Sequence, residues 1–144
     1  YGVAWDEPQQ RRTGEINYNR MFKGDTTLLS YGDRYYGPAF EVPLIMMEKL
    51  FQLEDTRKIY LFRHLASHLV FLFSALILFL LIDLIYKNKL LALIGFLLLI
   101  TAPRIYAHSF FNTKDIPFLA LLIICFYSIS VFYETTSRFW TPHR

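Results

Sequence analysis

The sequence predicts an all-α polytopic membrane segment. Three observations carry that prediction. The chain has 144 residues and is 54% hydrophobic, above the roughly 45–50% of soluble domains. The apolar excess lies almost entirely after His64. It falls into three runs of helical length, each closed by charge, proline or a polar turn.

The first run, Leu65–Tyr86, carries one charge, Asp83, near its end. About 20 apolar residues cross a ~30 Å hydrocarbon core as a helix. Asp83 is one turn from Lys87 and Lys89, which suits an acid at headgroup level. Tyr86-Lys87-Asn88-Lys89 reads as a tight polar turn. Leu90–Ala102 is the second span, short unless its helix starts within that turn, and Pro103 ends or kinks it. Ile116–Tyr133 is the third span, with Pro117 in its first turn, where proline is tolerated. A polar tail follows from Glu134.

Residues 1–63 form a polar loop region and 64–144 the three-span region. Two helical patterns stand in the loop region. Glu7–Phe22 is polar with sparse apolar positions, and Gly14 weakens it. Pro43–Leu53 is amphipathic, with Leu44, Ile45, Met47 and Phe51 against Glu48, Lys49, Gln52 and Glu54. Pro43 suits a helix start, and such a helix beside a span is expected to lie in the membrane interface. Tyr31–Pro38 is a Gly/Pro-punctuated loop.

Three spans place residues 1–63 and the loop Arg104–Asp115 on one side. The Lys87–Lys89 turn and the tail lie on the other. Positive-inside counting puts that turn in the cytoplasm, so the acidic groups Asp6, Glu7 and Asp115 share an extracytoplasmic surface. The net charge of +3, from 15 basic and 12 acidic residues, is dispersed and gives no nucleic-acid footprint. Cys125 is the sole cysteine, so an internal disulfide is excluded. No span carries a central charge, which disfavours a transporter. The chain begins at Tyr1 with no leader pattern and reads as a piece of a longer protein.

Each acid has two readings. Asp6 and Glu7 are adjacent and diverge by about 100° on a helix. Asp6 suits an N-cap and Glu7 a first turn. Equally, one faces a reacting group while the other binds substrate or a cation. Asp115, after Asn112-Thr113-Lys114, suits an N-cap of the third span or a site at the membrane surface. His64 and His68 have the i, i+4 spacing of helical metal ligands, with His108 a distant third. No glutamate lies between them as in HExxH, and an interfacial pair fits them better. No metal site is assigned.

Three stretches in order add a resemblance. They are Asp6-Glu7, then Arg34-Tyr35-Tyr36-Gly37-Pro38, then Pro103-Arg104-Ile105-Tyr106-Ala107-His108-Ser109-Phe110-Phe111-Asn112-Thr113-Lys114-Asp115-Ile116-Pro117. Together they resemble the N-terminal part of GT-C type membrane glycosyltransferases, nearest the protein O-mannosyltransferases and the aminoarabinose (lipid A) transferases. The resemblance implies transfer of a sugar from a polyprenyl-phosphate carrier to a lipid or protein hydroxyl, commonly with inversion, in a bacterial inner membrane or an ER-type membrane. It implies Asp6 as catalytic base, Glu7 as its neighbour, and Asp115 as the acid of the second loop in the same cavity. Arg104 and Lys114 are then candidates for the donor phosphate, with Tyr36 and His108 on the substrate side. No organic cofactor is implied, and a divalent metal is left open. Two places depart from the aminoarabinose pattern: Pro8-Gln9-Gln10-Arg11 follows the acidic pair, and Gly37 precedes Pro38. The resembled enzymes have about nine or more spans, so a longer parent is expected. The competing reading is a non-catalytic small membrane subunit, whose acids only cap helices.

Overall fold

The computed structural model describes residues 2–140, with side chains described through residue 137. Seven helices account for the regular structure among the described residues: α1 Glu7–Lys23, α2 Thr27–Ser30, α3 Glu41–Leu50, α4 Thr56–Tyr86, α5 Lys89–Thr101, α6 Pro103–Phe111 and α7 Asp115–Trp140. Two of them, α4 and α7, are long and apolar enough to cross a membrane. The pair α5–α6 reaches that length only as one element, bent by 63°.

The long helix α4 organises the bundle, with α5, α6 and α7 packed along it. It contains the expected span and begins nine residues earlier, at Thr56. Asp55 Oδ1 caps it by accepting from Arg57 N–H at 3.0 Å. At 1.5 Å per residue its 31 residues reach about 46 Å, well beyond a ~30 Å hydrocarbon core. The turn after α4 forms as expected. Lys87 takes a left-handed conformation, φ 50°, and Asn88 Oδ1 caps α5 through Leu90 and Leu91 N–H. Lys87 then pairs with Glu134 of α7 at 3.0 Å on the exposed far end of the bundle.

Three expectations need correction. Arg104–Asp115 is not a loop, because eight of its residues, 104–111, fold with Pro103 as α6, and Pro103 occupies the helix start where its missing N–H costs nothing. The helix that contains the expected third span does not stop at Tyr133, since α7 runs on through the polar residues to Trp140. The amphipathic helix α3 starts at Glu41, with Pro43 still in its first turn. Its faces also differ from the expected ones. Glu41, Leu44, Ile45 and Glu48, at i, i+3, i+4, i+7, are buried.

Gly14 does not interrupt α1. It lets α1 and α3 approach closely, and a Cβ there would meet Glu41 Cβ at 3.0 Å and Ile45 Cγ1 at 3.1 Å. Alanine normally gains up to about 1 kcal/mol over glycine inside a helix. Here we expect Gly14→Ala to destabilise instead, by about 1–3 kcal/mol, because the contacts are with a helix backbone and a buried side chain. Thermal unfolding of the two proteins in one detergent reads the sign.

Candidate functional site at the N-terminal end of the bundle

The N-terminal end of α4 carries a buried polar network that joins α1, α3, α4 and the start of α7. Arg63 is 2% exposed and donates to both α3 glutamates, reaching Glu41 Oε2 through Nη2 and Glu48 Oε1 through Nη1, the latter at 2.8 Å. Arg11 of α1 reaches Glu48 Oε2 at 2.9 Å and Glu15 at 2.9 Å. Two guanidinium groups therefore compensate two buried carboxylates, as burial of charge requires. The Thr113 hydroxyl sits against Oε1 of Gln10 and Oε1 of Glu41, and so ties α1 and α3 to the α6–α7 junction.

Asp6 stands at the N-cap position of α1 but does not cap with its side chain. Its backbone is already helical, φ −95° and ψ −13°. Its Oδ2 instead accepts from Gln10 Nε2 at 2.6 Å, and Gln10 in turn meets Thr113. Glu7 is 3% exposed. One oxygen accepts from Ala4 N–H at 2.7 Å, and the other meets His64 Nε2 at 2.8 Å. The divergence of the adjacent acids is thus realised as two different sets of partners.

Asp115 is the first residue of α7, and the capping role falls to Asn112. Asn112 Oδ1 accepts from Lys114 N–H at 3.2 Å and from Asp115 N–H at 2.9 Å. Its Nδ2 donates to Asp115 Oδ2 at 2.8 Å and lies 3.1 Å from His108 Nδ1. Arg104, His108, Asn112 and Asp115 line one open cleft of about 250 Å³, floored by Ile105, Ile116 and Leu119. Lys114 points elsewhere, with its ammonium 4.4 Å from the centre of the exposed Tyr36 ring, a cation–π distance.

The seven sequence-derived site residues therefore form three groups at one end of the bundle. Arg104, His108 and Asp115 share the cleft. Lys114 and Tyr36 touch each other. Asp6 and Glu7 open α1, connected to the other side of the α6–α7 junction through Gln10 and Thr113. His64 and His68 do not converge. His64 is paired with Glu7, while His68 Nδ1 meets Ser109 Oγ at 2.8 Å and its ring stacks on Phe110 at 4.3 Å. No group of three His, Cys, Asp or Glu among the described residues is arranged to hold a metal, so no step is assigned to one.

Sequence reasoning missed Arg63, Glu41, Glu48, Gln10 and Thr113. One signal was available. Pro43, Met46, Met47 and Leu50 are wholly apolar at i, i+3, i+4, i+7, which leaves the opposite face to the two glutamates. No family model, curated protein or solved structure matches the chain.

Proposed function

We propose that the chain is the part of a membrane glycosyltransferase that carries its acidic site, moving a sugar from a polyprenyl-phosphate carrier to an acceptor hydroxyl with inversion. The supporting observation is the cleft that combines Arg104, His108 and Asp115 at the same end of the bundle as Asp6. In this reading α5 and α6 make one bent crossing, giving three in all, and the site lies on the extracytoplasmic side. Asp6 takes the proton of the acceptor hydroxyl as its oxygen attacks C1. The C1–O bond to phosphate breaks, and its electron pair leaves with the polyprenyl phosphate. Arg104 offers the departing phosphate a guanidinium, with Asp115 orienting the sugar.

Removing a charged donor costs about 1.5–3 kcal/mol. Arg104→Gln should therefore lower kcat/KM for the polyprenyl-phosphate sugar by about 10- to 100-fold. The readout is steady-state transfer by the protein containing this chain, in detergent. An unchanged kcat/KM would remove Arg104 from the donor site. A second reading, a non-catalytic membrane subunit, is favoured by one observation: Glu7 is fully engaged by Ala4 and His64 and serves the packing of α1 on α4.

A further inference from the structure

The helix α3 buries Val42, Leu44 and Ile45 and carries a second apolar set on its outward side. Its buried face holds two carboxylates, Glu41 at 4% and Glu48 at 3% exposure. Its outer face holds none, and the exposed Lys49 lies on its flank with the ammonium 4.9 Å from the centre of the Tyr18 ring of α1. Pro43, Met46, Met47 and Leu50 point outward, with Leu50 75% exposed. A helix bordering water places its charges outward, so a different medium is expected against this face.

The surroundings of α3 specify that medium. Both glutamates bind Arg63, which holds α3 at the level of α4 two residues before the largely apolar run that begins at Leu65. Phe51, at the end of α3, meets Phe62 of α4 edge-on at 5.9 Å. Phe62 borders the outward stripe Leu61, Leu65, Leu69, Leu72 and Leu76, all exposed and spaced at helical turns. The apolar face of α3 is thus continuous with the apolar outer surface of the longest spanning helix. Exposed Glu54, Asp55, Arg57 and Lys58 make the start of α4 charged and polar, as a segment at the headgroup level would be.

We propose that Pro43, Met46, Met47 and Leu50 form a lipid-docking face, on which α3 lies flat at the headgroup–acyl boundary while its inner face carries the ion pairs. This goes beyond glycosyl transfer and requires only that α4 spans a bilayer. Docking fixes α1, and with it Asp6, at a set height above the membrane.

The test uses the protein with Cys125→Ser, reconstituted in vesicles of phosphatidylcholine and phosphatidylglycerol. Nitroxide labels are attached at Met46→Cys or Leu50→Cys, with Leu69→Cys as lipid reference and Arg12→Cys as water reference. Collision with oxygen is compared with collision with a neutral nickel chelate. Labels at 46 and 50 should behave like the one at 69, with oxygen favoured several-fold. Nickel access equal to that at 12 would place the face in water. Low access to both would place it under protein. Either result overturns the proposal. Quenching of Leu50→Trp by brominated phosphatidylcholine gives an independent reading, since a face in contact with lipid is quenched and a covered or wet one is not. Neither readout depends on transfer activity.

Discussion

Arg63→Met should cost about 3–5 kcal/mol of stability, the largest loss expected from one substitution in this chain. Arg63 is 2% exposed and answers both Glu41 and Glu48. Methionine matches the length of the stem and the apolar setting, but leaves one carboxylate with Arg11 alone and the other with the Thr113 hydroxyl alone. For a chain of this size the loss corresponds to a Tm lower by about 6–20 °C. Proteolysis should show where it acts, because α1 and α3 are docked on α4 through this guanidinium. Cleavage is expected to rise within residues 7–51 while α4 to α7 stay protected. Adding Glu41→Gln and Glu48→Gln to Arg63→Met should recover part of the loss, since no buried charge is then left unpaired. A Tm unchanged by Arg63→Met would show the network to be solvated and structurally idle.

Asp6→Asn should reduce sugar transfer by about 10²–10⁴ without comparable loss of fold. The amide oxygen of asparagine can still accept from Gln10 Nε2, the one side-chain bond that Asp6 makes among the described residues. It cannot take up a proton from an acceptor hydroxyl. Glu7→Gln makes the informative contrast. It disturbs a buried pair with His64, so its effect is expected in thermal stability and much less in the rate per folded molecule. Rates normalised to folded protein, beside melting curves for each variant, separate the two. Equal rates for Asp6→Asn and the unmodified protein would leave Asp6 a structural partner of Gln10.

The helices were legible because their signals are local. Long, predominantly apolar runs located α4, α5 and α7, and Asn88 and Lys87 closed the turn between the first two as the polar tetrapeptide suggested. The helix α6 was hidden behind Pro103, since a proline that ends one helix also opens the next at its first position. Gly14 misled for a related reason. A glycine inside a helix lowers propensity, yet here it serves an interhelical contact visible only in three dimensions. The cleft was partly legible, because Arg104, His108 and Asp115 come from one short stretch whose two ends are brought together by the Asn112 turn. The buried network was not. Its members are far apart in sequence, Gln10 from Thr113 and Glu41 from Arg63. A glutamate on an amphipathic helix is ordinarily assigned to water, and only an arginine supplied by another helix reverses that assignment.

The most direct measurement is sugar transfer itself. The protein containing this chain, in vesicles, is given a radiolabelled polyprenyl-phosphate sugar and a lipid or peptide hydroxyl acceptor. A glycosyltransferase built on Asp6 and the Arg104–Asp115 cleft should release polyprenyl phosphate in step with labelled product, with the anomeric configuration inverted, and Asp6→Asn should abolish both. No transfer to either acceptor class by a folded, reconstituted protein, or equal transfer by Asp6→Asn, would contradict the proposed function and leave the chain as a membrane subunit whose acids serve its packing.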